Sequence, residues 1–318
     1  MMTPVFLTID SELVWRHHTQ RLDRAALFER SFEPAGVGIS YQLEMLARHG
    51  LKACFFVDPM PALLFGLGPI RRVVDMVLGA GQEVQLHLHP NWAGACADDG
   101  GASHARFELI DYSRDEQHDL IGGARDLLQA ARAPPPIAFR AGSYGANDDT
   151  LRALSALGFV YDSSHNGSEH PWPSAIGLPV RQIAPVRREA VVEVPVTLIE
   201  DRPGALRNFQ ICALSAGEMR AALDHALDAD HAAVTIVSHG FELANRAGTR
   251  RNGIHVRRFQ GLCNLLEERR HTLPTMHFAD RPVLRLGQAD APLGPHPFRT
   301  GWRRAEQFWS NMVEERAA

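Results

Sequence analysis

The stretch "GQEVQLHLHPNW" (residues 81–92) decides how the chain is read. Val84, Leu86 and Leu88 alternate with Gln85, His87 and His89, which is the two-residue period of a β-strand. Both imidazoles therefore lie on one face, close enough to share an ion, and imidazole suits zinc, nickel and iron. Two histidines on the polar face of a strand are by themselves more often solvated than metal-bound. The rest of the chain has to supply further ligands.

Outward from this strand, β-like and α-like segments alternate. "TPVFLTID" starts a strand almost at once, and "GVGISYQLEMLARHG" has helical spacing and stops at Gly50, a C-terminal cap. "KACFFV" predicts a second strand, "PIRRVVDMVLGAG" a second helix, and "EVQLHLH" the third strand. Ser113 and Glu116 form a capping box ahead of a helix over residues 113–132. "PPPIAFR", "FVYDSS", "AVVEVPVTLI" and "AAVTIVSHG" predict further strands, with helices at "NDDTLRALSALG", after the Ser215–Glu218 box, and over residues 255–270; a short "TMHF" closes the pattern. About seven strand–helix units predict an α/β fold built as a single distorted (β/α)7 barrel over residues 1–286. Residues 287–300, rich in Gly and Pro, predict a linker. "GWRRAEQFWSNMVEERAA" predicts a C-terminal helical tail that docks on the barrel through Trp302, Phe308, Trp309 and Met312. The segment 90–112 is too long and polar for a plain connection, and long loops in compact domains tend to be functional.

Composition excludes several classes. With 318 residues, 45% apolar and 22% charged, the chain is an ordinary globular one, able to bury a sizeable core. A formal charge of −4 argues against a nucleic-acid partner. No apolar run approaches a transmembrane span, and the start "MMTPVFLTID" lacks the features of a signal peptide, so a cytoplasmic protein is expected. Cys54, Cys96, Cys212 and Cys263 are far apart and form no disulfide framework or cysteine zinc knuckle. Lys52 is the only lysine. Nothing in the chain signals its oligomeric state.

In a parallel β/α architecture ligands gather at the C-terminal ends of the strands. Asp10 and Glu12 end the first strand, His87 and His89 the third, Arg140 the fourth, Asp162 the fifth, and Ser238–His239 a late one. Any one is an unremarkable cap or turn residue, but the set contains acid, base and ligand types. Asp10 and Glu12 repeat the spacing of the histidines, so two carboxylates and two imidazoles offer a base and a three-ligand metal site.

With those residues placed, the chain resembles the polysaccharide deacetylases, the nodulation-type chitooligosaccharide deacetylases of carbohydrate esterase family four. The resemblance rests on "LTIDSE", "HLHP", "FRAGSYG", "YDSS" and "IVSHG", in the family's order across residues 7–240. It departs from the usual pattern in three places: Ser11 separates Asp10 from Glu12 where adjacent aspartates are usual, the histidines are two apart rather than four, and Arg140 is followed by Ala-Gly-Ser-Tyr. The resemblance implies that Glu12, His87 and His89 bind a divalent metal, zinc by preference, that Asp10 is the general base, and that His239 is the general acid. It further implies that Arg140 keeps Asp10 ionised, that Asp162 orients Arg140 or His239, and that the backbone near Ser143 and Tyr144 completes an oxyanion site. Trp92 and Tyr144 are candidates to stack on a sugar ring. The implied substrate is an acetylated sugar, nucleotide sugar or glycan precursor, in the branch linked to surface polysaccharide and O-antigen synthesis. Two other readings compete. An amidohydrolase-type barrel also uses a His-x-His pair, but Lys52 precedes the pair, which excludes the lysine-bridged version; the other is a non-catalytic carbohydrate-binding or assembly protein on the same barrel.

Overall fold

The computed structural model describes residues 2–95 and 106–315; Cys96 and the middle of the 90–112 connection lie outside the described residues. β1 (Val5–Ser11) is followed by α1 (Trp15–Thr19), α2 (Arg24–Phe32) and α3 (Ile39–His49), then β2 (Cys54–Val57), α4 (Ala62–Phe65) and α5 (Gly68–Gly79). Next come β3 (Glu83–Leu88), α6 (Arg114–Ala130), β4 (Ala138–Ala141), α7 (Asp148–Ala156) and β5 (Tyr161–Asp162). A run of short strands follows: β6 (Val186–Arg188), β7 (Val191–Glu193), β8 (Leu198–Arg202) and β9 (Ala205–Asn208). The chain ends with α8 (Ala216–Asp228), β10 (Val234–His239), α9 (Gly253–Glu268) and α10 (Pro297–Trp309). Capping sets many helix ends where the sequence places them. Gly50 takes φ +61° after α3, the left-handed conformation that glycine adopts at low cost. Ser113 and Ser215 accept the third N–H of α6 and α8 while Glu116 and Glu218 reach back to them.

The main sheet has the order β10-β1-β2-β3-β4-β5-β7-β6, parallel throughout except for β6. β1, β2, β3 and β4 are buried along their whole length, as expected for parallel strands covered on both faces. The sheet curls round, and the chain after β7 reaches β10 through separate contacts. Thr197 N–H donates to Thr235 O (3.1 Å), Ile211 N–H to Val237 O (3.2 Å), and Val237 N–H to Phe209 O (2.9 Å). The expected (β/α)7 barrel is thus a curled parallel sheet whose last seam is stitched rather than laddered. The reason lies in "AVVEVPVTLI", expected as one strand. Pro195 has no N–H to give a ladder, so the segment divides into β7 and β8, and β8 pairs antiparallel with β9 instead. α1 and α2 and the β8–β9 hairpin have no counterpart in the sequence reading.

Strand alternation sorts the interior into a floor and a mouth. Phe6, Cys54, Phe56, Ala138, Tyr161 and Val192 point inward and form an apolar cluster with Phe278. The Phe278 ring stacks on Phe6 (4.5 Å between centroids) and meets Tyr161 (5.3 Å) and Phe56 (5.9 Å). Phe278 lies in "TMHF", which is not a closing strand: Thr275 makes a single bridge to Val5, and a short 3-10 turn follows. The buried Glu83 carboxylate fastens this turn by accepting the N–H groups of Phe278 (2.8 Å) and Ala279 (2.7 Å). Lys52 is also at this end, paired with Asp280 (2.8 Å).

The C-terminal helix differs from expectation. It starts at Pro297, inside the expected linker, and docks by its polar side. Buried Arg303 pairs with Glu218 (3.0 Å) and with the Asp201 carboxylate, Arg258 reaches Glu306 (2.8 Å), and Asn252 donates to Ser310 (2.9 Å). Trp302, Phe308 and Trp309, expected to dock, are 66%, 68% and 57% exposed, and Met312 is exposed too. The periodicity marks an apolar stripe correctly, but a buried arginine with two carboxylate partners holds the opposite stripe against the barrel.

Phe278→Ala removes the ring that three floor aromatics share, and should cost about 3–5 kcal/mol of stability, the range for a buried Phe cut to Ala. Urea denaturation measures it; a loss under about 1 kcal/mol would contradict the floor.

Candidate metal and catalytic site

The strand ends around the mouth bring Glu12, His87 and His89 together, with one ligand atom of each within 4.8 Å of the others. Glu12 follows β1 directly, and His87 and His89 fall on and just after β3 with the same inward parity. His87 Nε2 is 3.0 Å from Glu12 Oε2, and His89 Nε2 contacts the same oxygen. His87 donates its Nδ1–H to the carbonyl of Arg140 (2.8 Å), which fixes the tautomer and leaves the Nε2 lone pair free to bind a metal. One carboxylate and two imidazoles converging on a point, with the Arg140 carbonyl orienting one of the rings, fit a divalent ion of the zinc type with room for water. Burial alone would lift the Glu12 carboxyl, but the two imidazoles hold it well below the ordinary carboxylate range. Burial also opposes charge on His89, yet Glu12 raises it to about 9. A bound metal would displace that proton.

His89 is seated by a residue with no side chain. A Cβ on Gly142 would lie 2.4 Å from His89 Nδ1, so only glycine lets the imidazole pack there. Gly142 opens the turn that carries Ser143 (φ +52°) and Tyr144 (φ +60°), left-handed conformations that are costly for residues with a Cβ and recur at functional sites. Ser143 and Tyr144 line one wall of a cavity of about 130 Å³, with Asp10, Glu12, His87, His89 and His239 around it.

Asp10 and His239 face each other in this cavity, paired in register on β1 and β10. Arg140 Nη1 donates to Asp10 Oδ1 (2.8 Å), while Asp10 Oδ2 lies 3.9 Å from His239 Nε2. On its other side His239 Nδ1 meets Gln210 Nε2 (3.3 Å). That amide nitrogen also donates to Glu242 Oε1 (2.7 Å). A carboxylate can only accept, so the amide orientation is set and Nδ1 of His239 is the acceptor. In the neutral ring the proton then sits on Nε2, facing the cavity.

Two expected site residues are placed elsewhere. Asp162 orients neither Arg140 nor His239: its carboxylate accepts from Ser164 Oγ (2.7 Å) and lies against Glu193. Parity explains it. Tyr161 points to the floor and Ser163 to Arg140, so the residue between them points outward to the helix layer. Burial lifts both carboxyls of this pair, and Asp162 pushes Glu193 well above the ordinary range. Trp92 is 1% exposed and packs on Trp15, His18 and Phe65. It is a core residue with no face left for a sugar.

Other residues carry roles that no motif announced. Ser163 accepts from Arg140 Nη2 (3.0 Å), and Thr8 accepts from Nη1 (2.7 Å). Gln210 and Glu242 hold His239. Asp58, buried just after β2, is lifted to about 6 by burial, with His89 and His87 opposing. Glu108 is buried near His89 and Ser143. Asp58 could have been found, since it ends a strand as Asp10 does; Gln210 and Glu108 sit in loops without periodicity.

No family model matches the sequence, and no curated protein matches it. Solved structures do. The chain is similar to a putative polysaccharide deacetylase from Mycobacterium smegmatis, with a TM-score of 0.52 and 18% identity over 91% of this chain and 95% of that one. It is also similar to 4-alpha-glucanotransferase from Thermococcus litoralis, with a TM-score of 0.53 and 9% identity over 90% of this chain and 41% of that one. A family 4 carbohydrate esterase from Streptomyces lividans matches at a TM-score of 0.45 and 12% identity, over 91% and 98%. At these identities the likeness shows the fold, a curled α/β barrel, and the activity has to be argued from the site.

Two outcomes follow from this geometry. Gly142→Ala should displace His89 and lower zinc content at least tenfold at limiting metal, about 1.4 kcal/mol or more of binding, while the circular dichroism spectrum is kept. Unchanged zinc content would remove Gly142 from the site. The second concerns Glu193, which in the folded protein holds its proton more tightly than in the unfolded chain. That stabilisation is complete below about pH 4 and is lost as pH rises through the raised folded value. Glu193→Gln should therefore flatten the fall of stability with rising pH by up to about 1.4 kcal/mol per pH unit. Denaturant midpoints between pH 4 and 8 measure it; an unaltered slope would mean that Glu193 is ionised in the fold.

Proposed function

We propose that the chain is a zinc-dependent carbohydrate deacetylase that hydrolyses an N- or O-acetyl group on a sugar in surface-polysaccharide synthesis of the O-antigen type. The observation that carries this reading is the placement of Asp10 Oδ2 opposite His239 Nε2 at 3.9 Å, beside the converging Glu12, His87 and His89. The fold likeness to a putative polysaccharide deacetylase supports it, as does the order of the five sequence motifs. A glucanotransferase shares the fold equally well, but its presence as a neighbour carries no site argument.

Glu12, His87 and His89 would hold the metal, which would supply Lewis-acid polarisation of the acetyl carbonyl and of a water. Asp10, held by Arg140 Nη1, takes a proton from the attacking water through Oδ2 as the water oxygen bonds to the carbonyl carbon. In its imidazolium form, His239 gives its Nε2 proton to the departing nitrogen or oxygen as the carbon–nitrogen or carbon–oxygen bond breaks and ends as the neutral ring, leaving acetate and the free amine or alcohol. Burial of Asp10 and Arg140 excludes water from their ion pair, so the base stays oriented. The cavity of about 130 Å³ has room for an acetyl group and a water, and the sugar lies outside it, over Ser143 and Tyr144. Tyr144 is the remaining candidate for sugar stacking.

The test separates the two carboxylates. Asp10→Asn should keep zinc and lose about 10²–10⁴ in rate of acetate release, the span of a general base. Glu12→Gln should lose zinc, with activity partly restored by excess metal. Zinc lost in the first and kept in the second would exchange the roles. No change in either variant would remove both carboxylates from the site, and absence of acetate release from wild type would leave the non-catalytic reading in place of the deacetylase.

A further inference from the structure

Beside the reaction cavity lies a second, larger one of about 490 Å³. It opens from the same two strand ends: Val14 follows Glu12 by two residues, and Phe241 and Glu242 follow His239 by two and three. The Phe241 ring is 5.1 Å from the His239 ring. Five arginines line this cleft, Arg16, Arg30, Arg207, Arg246 and Arg303. Arg303 is held by Glu218 and Asp201, and Arg207 reaches the same Asp201 at 3.7 Å. Arg16, Arg30 and Arg246 pair with no carboxylate among the described residues.

The acids in the wall are engaged elsewhere. Glu242 accepts from Gln210 (2.7 Å) and from the N–H of Cys212 (3.1 Å) and His239 (3.2 Å). Glu315 accepts from the N–H of Arg246 (2.8 Å) and from Asn252 (3.0 Å). The three unpaired arginines still outnumber these two carboxylates, so the cleft carries an excess of positive charge in a protein whose formal charge is −4. Two buried imidazoles complete the wall, and burial lowers the pKa of both, favouring the neutral rings. His17 donates Nε2–H to Arg246 O (3.2 Å) and His255 donates Nδ1–H to Glu242 O (2.9 Å), and the other nitrogen of each ring has no hydrogen-bond partner among the described residues.

We propose that this cleft is a subsite for a phosphate or diphosphate group, so that the acetylated sugar is the sugar part of a phosphate ester. The substrate class rests on the deacetylase reading above; the anion site does not. Arginine forks match phosphate oxygens in pairs, and the three arginines without a carboxylate partner supply more than one such fork. The phosphate can be borne by a soluble molecule or by a lipid. The lipid source has a feature of its own: Gln307 and Asn311 of the C-terminal segment form one wall of the cleft, while the same segment turns Trp302 and Trp309 outward.

The probe is inorganic pyrophosphate, titrated by calorimetry into chelator-treated full-length protein so that binding to a metal does not contribute. The variant is Arg16→Gln/Arg246→Gln, two exposed arginines outside the catalytic set, with zinc uptake and circular dichroism as folding controls. Wild type should bind pyrophosphate, and the double variant at least ~10-fold more weakly, about 1.4 kcal/mol. Equal affinity in the two proteins, no binding to wild type, or glucuronate binding as tightly as pyrophosphate would each overturn the subsite. Phosphatidylcholine vesicles with and without phosphatidic acid distinguish the source. Phosphatidic acid-dependent sedimentation that the double substitution abolishes identifies a lipid-borne phosphate; pyrophosphate binding without it identifies a soluble one. Pyrophosphate binding in a protein that releases no acetate from any acetylated sugar would retain the subsite and reject the deacetylase.

Discussion

Arg140 is a fully buried cation, and everything at the mouth of the barrel is arranged so that its charge is answered. Its guanidinium donates to Asp10 and Thr8 on β1 and to the carbonyl and hydroxyl of Ser163 after β5, and it lies over the face of Phe56 on β2 at 4.5 Å. Burial opposes the charge, but the Asp10 carboxylate beside it raises the guanidinium above its usual range. Removing one partner from such a pair strands the other, a loss of about 3–5 kcal/mol. The same residue serves the metal ligands through its backbone, since its carbonyl holds His87. One arginine thus fixes the base by its side chain and a ligand tautomer by its main chain.

The barrel makes this possible by keeping two chemistries apart along each strand. The deep inward positions are apolar and sealed by Phe278, whereas the last inward positions carry Asp10, Asp58, His87 and Arg140. A polar group at the deep level would lack partners and cost stability; the few there, Glu83 and Gln85, are held by backbone N–H groups (2.8 Å each to Phe278 and Ala138). Near the mouth the same alternation lets side chains from β1, β3, β4 and β10 converge, although these strands are distant in sequence.

Much of this was legible in the sequence because it depends on a period of two. The alternation in residues 84–89 gives the shared face of His87 and His89, and the i, i+2 spacing does the same for Asp10 and Glu12. Parity also explains the error at Asp162. "YDSS" shows an acid at a strand end, but only the fold reveals that Tyr161 and Ser163 take the inward face. Trp92 was misplaced because an aromatic after a ligand motif looks the same in sequence whether it meets a sugar or a core of Trp15, His18 and Phe65. Gln210 and Glu242 were invisible, since loops carry no period. The need for Gly142 appears only once His89 is seen against its backbone.

The most direct test of this account is Arg140→Gln, assayed for zinc content and acetate release together. The substitution removes the side-chain pair with Asp10 but leaves the backbone carbonyl that holds His87. The account predicts that folded Arg140→Gln keeps its zinc while the rate falls by about 10²–10⁴, the loss expected when a general base is left unpositioned. A full rate would contradict the role given to the Arg140–Asp10 pair. Loss of zinc along with the rate would show that the metal ligands depend on the Arg140 side chain, against the division of its roles described above.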